Sequence, residues 1–498
     1  MQIGSVVILE IILSFLPLFS ILSLLFFFKK SSIFTGIFTL ILTALLAHSP
    51  FFHKSPTALL YPMVKTSLTT FMIFYILFFG ILLFHLMEKA EAIKKIASFI
   101  SLSTNDRIYQ VLMLSLGLSP LIESVSGFGL AIIVIAPILI ALGFNGIQAS
   151  LLSLISLCAI PWGTLALGTI IGAELSNVNL DMLGIGSALM SFPLYIYFAI
   201  LVCTIAAGKR KVLKRLPEII FVSLVLSSSI LLCNRYISVE LAGLFGSLIT
   251  IIVVFTLIKI QNKTPNISCL EKLTFIKNIS PYLFLSFILL TSRMIPSFKV
   301  NLNNTFNIKM ENYDFELPLL YSPGFFLVLS CIFTTILFKL SIPNILESLN
   351  LSVRKCFPVI LTTFLFIFIS EIMAASGMIH VLSNFAAYSF GAYFIYLSPF
   401  IGSVGGFLTG SNTASNTMFI KLQTQTAAEI SSKPLLAACT QNVSSSMVTM
   451  INPSRVTLST SVCKVGKYES SIQRKMTFIV AGTLSFLAFE ILLLSLCT

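Results

Sequence analysis

The sequence predicts an all-α polytopic membrane protein. It should have about twelve transmembrane helices plus two re-entrant hairpins in inverted repeats. Three observations predict this. Of 498 residues, 57% are hydrophobic and only 10% charged, with a mean hydropathy of +1.00, so little polar surface is left for a soluble domain. Apolar runs of eighteen or more residues recur from end to end, long enough to cross hydrocarbon as helices. They are continuous, whereas a β-barrel strand would alternate. The third observation is a repeat. LSPLIESVSGFG, from Leu118 to Gly129, returns as LSPFIGSVGGFL, from Leu397 to Leu408, with eight of the first eleven positions identical. Clusters of Pro, Gly and Ser at matching places in two halves of a membrane chain mark broken helices at a transporter's binding site.

Taken in order, crossings are expected near 5–28, 33–52, 66–87, 149–172, 182–207, 218–233, 239–260, 278–296, 319–341, 357–374, 434–451 and 476–497. The first apolar run, Val6 to Phe28, has no early positive charge and is too long for a signal-peptide core, so it is read as an uncleaved span. Residues 1–65 are N-terminal scaffold spans. Residues 66–172 form the first repeat, with a re-entrant hairpin at 108–143. Residues 182–341 are middle scaffold spans, 357–451 the second repeat with a hairpin at 378–421, and 476–498 the C-terminal span. The connector 88–107 reads as an amphipathic surface helix. The segment 297–318 is the one long polar stretch outside and reads as a surface loop.

Charge orients this arrangement. With both termini outside and both hairpins re-entrant, 23 of the 31 Lys and Arg lie in inside loops, Lys263 and Arg455 among them, and 8 lie outside, including Lys421. The net charge of +13 therefore reports orientation. No basic stripe with interleaved aromatics points to nucleic acid. The nine cysteines, Cys497 the last, form no CxxC pair and read as small apolar residues, and the four histidines show no ligand spacing. No metal or cofactor is expected.

A hairpin tip at membrane depth must face protein or a polar cavity, because an unpaired backbone group in hydrocarbon costs several kcal/mol, on the order of its full desolvation. The free N–H groups of the returning helix then make an anion site. The second hairpin offers Thr409, Gly410, Ser411, Asn412, Thr413, Ser415 and Asn416, uncharged groups that suit a small carboxylate bearing a hydroxyl. Helix capping is the plainer role for the same residues. The first hairpin offers Ser126, Gly127 and Gly129, and the span after the second offers Asn442 and Ser445. Glu123 lies in the first motif, where an ionised carboxylate is costly and can take up a proton. It is the first candidate for proton coupling, and Glu371, in a second-half span, is the other.

These stretches resemble the bacterial L-lactate permease family, the lactate and glycolate permeases of the ion-transporter superfamily. The likeness rests on IESVSGFG at 122–129, GFLTGSNTASNTMF with LQTQTA at 406–427, and MINPSRV at 450–456. It implies proton-coupled uptake of L-lactate, glycolate or a related 2-hydroxymonocarboxylate across the bacterial inner membrane by a scaffold plus a mobile transport domain, and the family's motif glutamate falls on Glu123. Three departures stand out. Asn412 occupies a position where the family usually has Asp. Thr449 and Asn452 stand where it has Lys and Ser. Ser124, Val125 and Ser126 replace smaller residues. A sodium-coupled carrier, or one for a dicarboxylate or another organic anion, is the alternative on the same fold. A membrane-embedded enzyme would need clustered acids, His or Cys at a membrane edge, and none is visible. The partners expected are the substrate, the proton and the bilayer, with a homodimer left open.

Overall fold

The computed structural model describes residues 2–261, 269–313 and 315–496. Lys263 and Cys497, which entered the sequence reading above, and Asp314 within the 297–318 segment lie outside the described residues.

The chain opens with two apolar helices, α1 (Gln2–Phe26) and α2 (Ser32–Ala47), the second begun by Ser31, whose hydroxyl accepts from the Phe34 N–H. The long α3 (Leu60–Lys89) follows, then the short α4 (Ala92–Leu102). Ile93, Ile96 and Ile100 of α4 are buried while Lys94 and Lys95 face out, the amphipathic pattern its sequence predicts. Next, α5 (Arg107–Leu112) runs through a π-helical turn (Met113–Leu118) into α6 (Ser119–Ser126). The chain breaks at Gly127 and resumes as α7 (Leu130–Ala141), α8 (Gly146–Ile155) and α9 (Gly163–Ser176). α8 carries a capping box between Asn145 and Gln148, and the axes of α8 and α9 differ by 58° across their break.

The middle of the chain comprises α10 (Leu180–Ala207), α11 (Lys209–Lys214), α12 (Leu216–Tyr236), α13 (Ala242–Ile260) and α14 (Cys269–Met294). The segment expected to be a plain surface loop is folded instead. It holds α15 (Pro296–Asn304) and a two-stranded antiparallel ribbon, β1 (Asn307–Met310) with β2 (Phe315–Pro318), in which Phe315 and Leu317 are buried. α16 (Pro323–Leu337) and the 35-residue α17 (Ile342–Ser376) lead to α18 (Met378–Phe390), α19 (Phe394–Thr409), α20 (Asn412–Glu429), α21 (Pro434–Val448), α22 (Pro453–Val462) and the terminal α23 (Glu469–Leu496).

Among the described residues, ten helices are long and apolar enough to cross a membrane, or eleven if the bent α8–α9 pair counts as one span. The protein is thus a multi-pass, all-helical membrane protein apart from one small ribbon, with fewer full-length crossings than the twelve expected. The difference has physical causes. α2, α16 and α21 have 16, 15 and 15 residues, short of the roughly 20 a straight crossing needs. Conversely, 107–126 and 378–409, the leading arms of the two expected hairpins, are each long and apolar enough to qualify as spans.

α3 packs along α17, α19 along α21, and α20 against both α9 and α21. Glycines permit the closest of these contacts. A methyl group on Gly406 would lie 2.1 Å from the Ser445 carbonyl oxygen, so α19 touches the α21 backbone there. Larger forces act at the ends of the bundle. Arg215, between α11 and α12, pairs with Asp106 and Glu218, and Arg293 bonds Glu240 at 3.1 Å while stacking on Tyr321.

Candidate functional site

The first copy of the repeated motif, the residues that follow the second copy, and the breaks before α9 and α22 converge on one cavity of about 30 Å³. Glu123, Gly127 and Phe128 come from the end of α6 and the turn after it. Ile160, Gly163, Thr164, Leu167 and Gly168 come from the α8–α9 break and the start of α9. Ser411, Asn412 and Thr413 begin α20, and Arg455 lies in the first turn of α22.

Each wall follows from local sequence. α6 stops because Gly127 takes φ 64° and ψ −166°, a conformation open to glycine alone. A Cβ there would also lie 2.0 Å from Thr164 Oγ1. Gly129 (φ 76°) then starts α7, and its N–H donates to Glu123 Oε1 at 3.0 Å. Across the cavity, Thr164, Leu165 and Ala166 all have left-handed φ, at 43°, 48° and 66°, as has Phe128 at 54°. Left-handed backbone costs a residue with a side chain about 1–2 kcal/mol. Such strain gathers where the surrounding fold holds a functional wall in place.

The second half supplies polar groups. Gly410 (φ 63°) ends α19, and Ser411 caps α20, its hydroxyl accepting from the Ala414 N–H at 3.3 Å. The N–H groups of the first helical residues, Asn412 and Thr413, have no acceptor within the helix, and the helix dipole favours an anion at this end.

Arg455 is the residue that the sequence left in a loop. It is 6% exposed, and its guanidinium donates to Thr449 Oγ1 at 3.0 Å and to the Gly410 carbonyl at 2.8 Å. Asn452 and Pro453, a cap followed by proline, announce the start of α22. That start puts Arg455 in a helix's first turn, the end where the dipole disfavours a cation; this was the signal available in the sequence, and the loop reading passed over it. Glu123 faces the same cavity. It is 2% exposed, its Oε2 has no hydrogen-bond partner, and the charges of the two side chains act on one another without an ion pair between them among the described residues.

The other expected site residues divide into cavity wall and support. Thr409 bonds the Gly405 and Ser411 carbonyls and shapes the turn, and Ser126 donates back to Ile122 at 2.7 Å. Asn412 lines the cavity and is held from behind, its Nδ2 donating to Asn442 Oδ1 at 2.8 Å and its Oδ1 accepting from Ser445. Asn416 lies deeper, donating to the Gly168 carbonyl (2.9 Å) and to Asn442 Oδ1 (3.0 Å). Asn442 donates in turn to Thr169 and Ser187. Ser415 bonds the Gly402 carbonyl and accepts from Gln441. Ser415, Asn416, Asn442 and Ser445 thus form a fully bonded layer behind the wall. Glu371 lies away from the cavity, with Oε1 2.5 Å from Lys421 Nζ. Lys421, which the charge count placed in an outside loop, is on α20 and largely buried.

A sequence model of the L-lactate permease family matches residues 10–494. The chain belongs to the L-lactate permease family. It is 26% identical over 433 residues to an L-lactate permease of Halalkalibacterium halodurans, covering 80% of each chain. It is 25% identical over 374 residues to one of Streptococcus iniae, covering 73% of this chain and 79% of the other. With one of Bacillus subtilis the identity is 22% over 456 residues and 80% of each chain. Glu123, on which the resemblance places the motif glutamate, lines the cavity together with Arg455, and Arg455 bonds Thr449.

Proposed function

We propose that this protein is a secondary active transporter that takes up L-lactate, glycolate or a related 2-hydroxymonocarboxylate with a proton across the bacterial inner membrane. Family membership supports the substrate class. The observation that carries the reading is the pairing of buried Arg455 and buried Glu123 on one cavity, each with bonding capacity to spare.

In this reading the substrate carboxylate meets the Arg455 guanidinium and the first N–H groups of α20. Its hydroxyl meets Thr164 and Asn412, and Glu123 holds the proton beside it. One cation on the wall suits one carboxylate; a dicarboxylate calls for a second. A cavity of about 30 Å³ has room for one or two water molecules, so the acid enters only when the walls part. The strained turns at Phe128 and Thr164–Ala166 and the helix breaks at Gly410–Ser411 and Asn452 supply the joints.

The arrangement also favours inverted repeats. α6, α7 and the broken α8–α9 are answered by α19, α20 and the broken α21–α22, with each motif serine bonded to a helix behind it: Ser119 to Ser156 at 2.8 Å and Ser398 to Gln423. Both tips then belong to a moving transport domain, while α3 and α17 belong to the scaffold.

Reconstituted vesicles test the proposal. An inward proton gradient should drive accumulation of labelled L-lactate or glycolate, and a sodium gradient alone should not. Accumulation that survives collapse of the proton gradient would overturn the coupling, and preference for a dicarboxylate would overturn the substrate class.

A further inference from the structure

A second polar cluster lies along the same two helices that carry the cavity. α9 and α20 pack together, and each begins at the cavity. Lys421 follows Thr413 by eight residues, about 12 Å along α20, and Glu174 follows Gly168 by six, about 9 Å along α9. The two helices therefore present Lys421 and Glu174 on the same side, beyond the cavity floor.

Their partners come from the other pair of packed helices. Lys421 Nζ is 2.5 Å from Glu371 Oε1 on α17, and Glu174 Oε1 accepts from the Thr69 hydroxyl of α3 at 2.7 Å. The charges of Glu371, Lys421 and Lys65 act on Glu174, so two acids and two lysines share the cluster. Between it and the cavity lies a tight layer in which Asn416 bonds the Gly168 carbonyl and Ile420 abuts Gly172.

We infer that Glu371–Lys421 and Glu174–Thr69 form a latch that shuts the cavity on the side where α9 and α20 end. The inference rests on the transport reading and adds to it a gate. Both bonds of the latch cross from α3 or α17 to α9 or α20, so movement of one helix pair against the other breaks both together. An ion pair suits this task better than an apolar seam. Shut, its charges are compensated at short range. Parted, each charge is rehydrated by the water that enters, which offsets the loss of the pair. Removing one partner leaves the other charge buried without its ion pair, a state relieved by opening to water.

Thiol labelling tests the latch in the full-length chain, with its native cysteines replaced. Ile420→Cys, in the layer under the latch, reports whether water reaches it. A membrane-impermeant cationic methanethiosulfonate is added from either side of the membrane. Glu371→Gln and Lys421→Met should each raise the labelling rate at least tenfold from one side only. The exchanged pair, Glu371→Lys with Lys421→Glu, should bring it back to the starting rate, and Thr69→Val should give a smaller rise in the same direction. Equal rates in all variants, or an exchanged pair that labels as fast as the single variants, would overturn the latch. Labelling needs no substrate, so the outcome is read whether or not the cavity takes a hydroxy acid. The exchanged pair and Thr69→Val keep the test decisive where a lone charge prevents folding.

Discussion

Arg455 donates from Nη1 to the hydroxyl of Thr449, six residues earlier, at 3.0 Å. The bond spans the break between α21 and α22, and it answers the largest departure seen in the sequence. Thr449 stands where the family resemblance leads one to expect a lysine. Arg455 sets a cation beside Thr449 from the far side of the break.

The first prediction follows. Arg455→Gln should weaken binding of L-lactate tenfold to a hundredfold, since a hydrogen bond to a charged group is worth about 1.5–3 kcal/mol. Arg455→Ser with Thr449→Lys should recover part of the loss, by returning the charge from the other position. Binding measured by displacement of labelled substrate from purified protein checks both. Unchanged affinity in Arg455→Gln would remove the guanidinium from the substrate's path.

Two asparagines in one motif should behave differently. Asn412 lines the cavity, whereas Asn416 is bonded on every side by Gly168, Asn442, Gln441 and Ser445. Asn412→Ala should lower affinity. Asn416→Ala should chiefly lower stability, because each buried group left unpaired costs about 1–3 kcal/mol. Thermal unfolding and substrate binding, read together, separate the two. A stable Asn416→Ala protein with weakened binding would move Asn416 to the cavity wall.

How far the sequence carried these conclusions depends on what each feature needs. Membrane helices were legible because apolar length is a local property, and the motif tips because Gly and Pro act on their own backbone. Glu123 was legible for the same reason: an acid in an apolar run stands out. Arg455 did not, since two residues past the proline of a helix break a basic side chain looks like a loop charge until the next helix is seen to fold back. Lys421 was misplaced likewise, because its partner Glu371 is fifty residues away. The supporting role of Asn416 was invisible, since its main acceptor, the Gly168 carbonyl, belongs to the other half of the chain. The ribbon at 307–318 carries too few apolar residues to announce a strand.

Orientation is open to a direct check. Lys211 lies at an exposed position in the basic helix α11, and Thr305 at an exposed position before the ribbon. The excess of basic residues puts the first inside and the second outside. In intact cells an impermeant thiol reagent should therefore label Thr305→Cys and spare Lys211→Cys in a cysteine-free background. The reverse pattern would invert the protein and place the latch on the inner side.

The last prediction concerns Glu123. Glu123 lines the cavity; its Oε1 accepts from the Gly129 N–H, while its buried Oε2 has no hydrogen-bond partner. A carboxylate so placed has one oxygen fixed by the start of α7 and one free to gain or lose a proton. Arg455 shares the cavity without touching it, so a substrate carboxylate can bind the cation only if the local negative charge does not double. Protonation of Glu123 meets that condition and ties substrate to proton. Glu123→Gln keeps the shape and the N–H bond but can never become charged. It should bind L-lactate and exchange labelled for unlabelled substrate across the membrane, yet fail to accumulate it when the outside is acidified. Glu123→Asp should retain a reduced accumulation, its carboxylate being drawn back by one methylene. If Glu123→Gln accumulated substrate to the unaltered protein's level, the proton would travel elsewhere, and Glu371, freed from Lys421 each time the latch opens, would be the residue to change next.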